Sequence, residues 1–196
     1  MNFLLISLMC FLTYYNAVDQ NIVNNKINFD KIVVEFEYSG KLANENNSPF
    51  NFSIKYKVNC FKDSSVLVLS DEEKSNDPNT DPVTIKMPEK IIFKKNKWYK
   101  PNEANKPIPF IKEKVIKTNL TCLILGYTCY KYISTNTETK NVSEVWICPK
   151  LPNNIMPAAG CKPLPGAILK IISKIPSEIY EAKSIQIIKQ KRLEKK

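Results

Sequence analysis

The chain has 196 residues, 43% hydrophobic and 24% charged, which suits one domain with a real apolar core. Its net charge of +10 is carried by lysine, Arg192 being the one arginine, and there is no histidine. That composition excludes Ser–His, Cys–His and His–metal chemistry, and scattered lysines without arginine argue against nucleic acid as a partner.

Residues 3–13 (FLLISLMCFLT) form an apolar run of signal-peptide length, and Ala17 is the expected last residue before cleavage. The run is shorter than the roughly 20 residues of a membrane-spanning helix, so no transmembrane span is expected. Met9 stands before Cys10, where lipid attachment would call for a small residue. The expectation is an exported protein, whether periplasmic, outer-membrane-associated or secreted, with segment 1–17 removed.

Residues 18–28 read as a polar lead-in. Ile32, Val34, Phe36 and Tyr38 then alternate with Val33, Glu35 and Glu37, a half-buried strand that Gly40 should end. In residues 50–60, Phe50, Phe52, Ile54, Tyr56, Val58 and Cys60 fall on one face, and Asn51, Ser53, Lys55, Lys57 and Asn59 on the other. A period of two over eleven residues has no helical reading, and one wet face implies an antiparallel sheet. Residues 66–69 read as a short strand and 70–82 as an acidic loop. Residues 83–93 read as two short strands broken at Pro88, and 94–109 as a long connection around Trp98 that is either functional or a mere insertion.

Residues 120–133 (LTCLILGYTCYKYI) are rich in β-formers, with Gly126 expected to mark a bulge or a close backbone approach. Further strands are expected at 144–148 around Trp146, at 167–172 and at 179–188, before a charged tail at 189–196. The count is seven to nine strands with no long amphipathic helix: one β-rich domain over 18–188, built as a sandwich, a barrel or a curved sheet.

Two stretches stand out together: Leu125-Gly126-Tyr127-Thr128-Cys129-Tyr130-Lys131, and residues 162–171 around Leu164-Pro165-Gly166, with Trp146 between them. Over residues 115–188 the chain resembles the GLPGLI family of exported Bacteroidota proteins, most of which have no assigned activity. Pro163 and Ala167 depart from the signature. Gly126, Tyr127, Cys129, Trp146, Leu164, Pro165 and Gly166 are the motif positions. The family is also similar to a bowl-like domain at the front of some secreted glycan-releasing amidases. The resemblance implies a curved, mostly antiparallel sheet, bowl-like or an incomplete barrel, and does not imply catalysis.

Leu164-Pro165-Gly166 reads as a type II turn that fixes register, and Trp146 as a core residue. Five cysteines remain after cleavage, an odd number. On a single strand Cys122 and Cys129 would lie roughly 23 Å apart at about 3.3 Å per residue, so they pair only if the chain turns at Gly126. The favoured bond joins Cys148 to Cys161, stapling the signature turn. Cys60 with Cys129 or Cys122 comes second, with buried free thiols as the remaining reading. No CxxC pair or Gly-rich phosphate loop points to a metal or cofactor. Asn46, Asn51, Asn119 and Asn141 begin glycosylation sequons that matter only in a eukaryotic secretory pathway.

No catalytic residue is assigned. Glu35, Glu37 and Glu144 are the candidates for two-carboxylate hydrolysis, all on strands at solvent-facing positions. The reading favoured by the residues is a non-catalytic binding or chaperoning domain for an apolar small molecule, peptide or envelope protein. The alternative is a carbohydrate- or peptide-processing enzyme or accessory domain. A third reading is a purely structural role at the envelope.

Overall fold

The alternating apolar residues do build strands, and the strands join into one sheet. A computed structural model describes residues 27, 29–43, 49–69, 90–103 and 106–189. The expected leader, the acidic stretch 70–82 and residues 190–196 lie outside them. Eleven strands follow one another: β1 (Lys31–Ala43), β2 (Pro49–Cys60), β3 (Ser64–Leu69), β4 (Lys90–Lys94), β5 (Lys97–Tyr99), β6 (Pro107–Ile108), β7 (Glu113–Ile124), β8 (Tyr127–Asn136), β9 (Val142–Cys148), β10 (Ala167–Ser173) and β11 (Glu178–Ile188). Their order across the sheet is β6-β5-β4-β3-β2-β1-β11-β10-β9-β8-β7, with every neighbouring pair antiparallel. The only helical turn among the described residues is a 3-10 turn at Pro101–Glu103.

This order is two meanders joined where the first strand pairs with the last, so β6 and β7 are the two edges among the described strands. Ten spacings of about 4.8 Å would hold those edges roughly 48 Å apart in a flat sheet. Yet Ile108 ends β6 and Glu113 begins β7, and five residues of chain reach at most about 18 Å. The sheet therefore curls round until its edges approach: an open, incomplete barrel, as the resemblance implies.

The inward face carries Ile32, Val34, Phe36, Tyr56, Val58, Leu67, Phe93, Val145 and Ile147, all buried. The interior is filled by the chain itself. Residues 149–166, between β9 and β10, bring in Leu151, Ile155, Met156 and Pro157, each almost fully buried. Asn154 anchors the segment, its amide donating to the Phe61 and Ser64 carbonyls at 2.9 and 3.0 Å and its oxygen accepting from the Cys60 thiol. Further along, the Gly160 carbonyl accepts from Ile111 N–H at 2.9 Å, tying the plug to the link between the two edges.

Several expectations are corrected. Gly40 does not end β1; it sits inside the strand because a Cβ there would lie 2.7 Å from the Ser177 carbonyl and 2.9 Å from the Phe52 ring. Of the two readings of residues 120–133, the chain takes the turn: Leu125 and Gly126, at φ 52° and 81°, form the two-residue turn of the β7–β8 hairpin. Space around Gly126 is open, so it marks neither a bulge nor a close approach. The connection around Trp98 is the β4–β5–β6 ribbon, and Trp98 is wholly buried. The Leu164-Pro165-Gly166 turn is tighter than type II, with Gly166 N–H donating to the Leu164 carbonyl at 2.7 Å across Pro165.

Candidate functional site

With the interior plugged, a recess lies on the outer face. Strand alternation places Lys131, Trp146, Lys170, Glu181, Glu37 and Lys55 in one row across six strands, each opposite the next. The row sets Glu37 opposite Glu181, a like-charge pair that would repel. A β-bulge resolves it: the register slips between Glu35 and Phe36, adding Lys183 to β11. Its ammonium then stands 2.5 Å from Glu181 and 3.1 Å from Glu37. Lys170 binds Glu181 at 2.6 Å, Lys131 binds Glu144 at 2.8 Å and Lys57 binds Glu35 at 3.2 Å.

Trp146 is the correction of most consequence. It is half-buried on this charged face, not in the core, with the Lys131 ammonium 5.9 Å from its ring centroid. A groove of about 600 Å³ opens beside it, floored by Trp146, Lys170 and Glu181 and walled by Cys122, Leu123, Ile124 and Leu125. The wall is the end of β7, the sheet's long free edge, where Leu120 is 56% and Leu123 74% exposed. The tip residue Leu125 is also exposed and is held at positive φ, where a leucine is uncommon.

The three candidate carboxylates share this face but not one centre. Glu144 lines the groove with Glu181, a residue the sequence reading did not single out. Glu35 and Glu37 lie outside it. Hydrogen bonds from Lys170 and Lys183 hold Glu181 below the usual carboxylate value, those from Ser53 and Lys183 do so for Glu37, and those from Ser184 and Lys57 for Glu35. A glycosidase-type pair needs one carboxyl kept protonated as the acid. Here Glu35, Glu37 and Glu181 are driven the other way, and Glu144 is tied to Lys131. No group of three metal-ligating side chains forms among the described residues.

The five described cysteines are free thiols. The expected Cys148–Cys161 staple is not formed because residues 149–160 run inward as packed core instead of closing a short loop. Cys161 ends that run, its carbonyl accepting from the Trp98 indole at 2.9 Å. Cys148 instead has Cys129 as its thiol neighbour. The motif residue Gly166 packs on the same spot, since a Cβ there would overlap the Cys148 carbonyl. Tyr127 is half-buried at the start of β8. Leu164 is half-buried and Pro165 exposed.

The inward face ends in a second, smaller feature. Tyr38 stacks on Tyr180 at 4.3 Å, meets Phe52 edge-on at 4.8 Å and donates its hydroxyl to Glu178 at 2.8 Å. Tyr56 and Phe52–Ile54 were expected to line one apolar face. Tyr56 is buried within the core, while Phe52 and Ile54 stay half-buried, and no second sheet among the described residues covers them.

No helix among the described residues is long and apolar enough to cross a membrane. No family model and no curated protein matches the chain. Among solved structures, PNGF-II in a C2 and a P21 crystal form is similar over 82% and 84% of this chain, at 18% and 21% identity and TM-scores of 0.44 and 0.48. This chain spans 28% and 30% of those two chains. A Vibrio parahaemolyticus domain, described as that of an outer membrane lipoprotein-sorting protein, is similar over 91% of this chain and 93% of its own, at 11% identity and a TM-score of 0.34.

Proposed function

We propose that this chain is an exported, non-catalytic binding domain of the GLPGLI type, and that the outer groove beside β7 receives an apolar ligand or an apolar stretch of an envelope client. The groove carries this reading. It sets Trp146 and the side chains of 122–125 around a recess of about 600 Å³, a volume typical of small-ligand sites. It also adjoins β7, an edge strand among the described strands, to which an extended peptide can add main-chain hydrogen bonds. The charged rim of Lys131, Glu144, Lys170, Glu181 and Lys183 is already paired within the protein. It leaves affinity to the apolar wall and orientation to the rim. Export is supported by the apolar run at 3–13, and family membership by the motifs at 125–131 and 162–171.

A titration with anilinonaphthalene sulfonate as the apolar probe tests this reading. Leu123 is exposed, so Leu123→Asp should leave the fold intact. It should weaken the probe by about ten-fold or more, given roughly 1.5–3 kcal/mol for burying one leucine. Equal binding by both proteins would refute the groove as the site.

A further inference from the structure

Three of the five described cysteines fall in one line across the sheet. Cys122 on β7 is the register partner of Cys129 on β8. Tyr130 pairs with Ile147 across β8 and β9, so one further step along both strands sets Cys129 opposite Cys148. Alternation puts all three thiols on the same face. Directly opposed residues of antiparallel strands have Cα atoms about 4.5–5.5 Å apart, inside the span of about 4.4–6.8 Å that a disulfide requires. We propose that Cys129 and Cys148 are a dithiol–disulfide couple, and that Cys122 is the thiol through which the couple exchanges with disulfides outside.

The surroundings sort the five thiols into distinct roles. The Cys129 thiol, which donates to the Tyr127 carbonyl at 3.5 Å, has the Cys148 sulfur as its neighbour, and Leu151 N–H donates to the Cys148 carbonyl at 3.3 Å. The neighbouring Cys129 thiol, with the backbone N–H groups of Lys150 and Leu151, draws the Cys148 thiol below its ordinary value, which favours the thiolate on Cys148. Burial pushes Cys60 and Cys161 up to about 12, and each is engaged elsewhere, the Cys60 thiol with Asn154 and the Cys161 carbonyl with Trp98. Cys129 and Cys148 are buried, whereas Cys122 is half-buried and lines the groove. An external reagent therefore meets Cys122 first.

The chemistry needs a disulfide RSSR as the two-electron acceptor. The Cys122 thiolate attacks one sulfur of RSSR, forming a mixed disulfide and releasing RS⁻. The Cys129 sulfur attacks Cys122 and expels the second RS⁻. The Cys148 thiolate then attacks Cys129 from the side away from Cys122, which leaves as a thiolate. Cys129 and Cys148 are oxidised, RSSR is reduced to two RSH, and the two protons lost by the protein end on those products.

The test is to expose the purified protein to oxidised glutathione, alkylate the remaining thiols and map the linked peptides by mass spectrometry. The wild-type protein should yield a Cys129–Cys148 link with Cys60 and Cys161 alkylated. Cys122→Ser should form the same link about ten-fold or more slowly, because the buried pair loses its accessible partner. Cys148→Ser should yield a Cys122–Cys129 link. A Cys148–Cys161 link, or Cys129 and Cys148 both alkylated after oxidation, would overturn the couple, and the wild-type protein alone decides it. Oxidation of Cys122→Ser at the wild-type rate would overturn the exchange route.

Discussion

Trp98 donates its indole N–H to the carbonyl of Cys161, 2.9 Å away. Through this contact a three-residue strand near one free edge is fastened to the segment that fills the barrel. Trp98 is wholly buried and packs on Phe93 at 5.0 Å. Trp98→Phe keeps most of the apolar volume but strands the carbonyl, and should cost about 1–3 kcal/mol. Trp98→Ala also opens a cavity and should cost about 3–5 kcal/mol. Urea unfolding measures both, and a Trp98→Phe variant as stable as the wild-type protein would show that the hydrogen bond contributes nothing.

Two motif glycines should respond differently to alanine. At Gly166 a Cβ would overlap the Cys148 carbonyl, and φ is 139°; substitution should cost about 2 kcal/mol or more, and it displaces the start of β10. At Gly126 a Cβ meets nothing, so only its φ of 81° resists. Gly126→Ala should cost about 1 kcal/mol. Thermal unfolding of the two variants gives the order.

The outer ion-pair row predicts an acid-sensitive stability. The pKa values of Glu35, Glu37 and Glu181 are lowered from an ordinary 4.5. Their contribution is thus present above that value and is lost as pH falls below it, through the folded-state values. Lys183 is shifted the opposite way, above its ordinary 10.5 by Glu181 and then Glu37, so its share is lost only as pH rises beyond that. These groups are half-buried to exposed, so the effect is modest and weakens with salt. Lys183→Met should flatten the fall in melting temperature between about pH 5 and 3, since it removes the charge shared by two of the carboxylates. An unchanged slope would refute the role given to the bulge.

Tyr56 is 1% exposed, and its hydroxyl finds no hydrogen-bond partner among the described residues. Removing a buried, unsatisfied hydroxyl should not destabilise, so Tyr56→Phe is expected to be neutral or to stabilise by about 1 kcal/mol. A chemical-denaturation midpoint that falls would show that the hydroxyl has a partner in solution.

How much of this was legible in the sequence varies with local physics. The strict alternation of β2 announced its two faces, and the same rule placed Glu35, Glu37 and Glu144 outward. Residues 113–119 gave no such signal, because the register of β7 shifts between Lys117 and Thr121, where Thr118 donates its hydroxyl to the Lys131 carbonyl. The turn at Leu125-Gly126 was hidden by a leucine where such turns favour Asn or Asp. Residues 149–166 have no periodicity, so nothing marked them as the plug. Trp146 looked like core because large aromatics usually are; only the cross-strand row shows it lying between Lys131 and Lys170. The Cys129–Cys148 juxtaposition depends on the β8–β9 register, which spacing alone cannot supply.

The central claim is that the groove beside β7 holds an apolar occupant. Native mass spectrometry on wild-type and Leu123→Asp protein, both purified from the exported fraction without detergent, tests it most directly. The account predicts an apolar adduct on the wild-type protein that is lost on denaturation and is absent from the variant. A bare polypeptide mass for the wild type, or an adduct retained by Leu123→Asp, would contradict it.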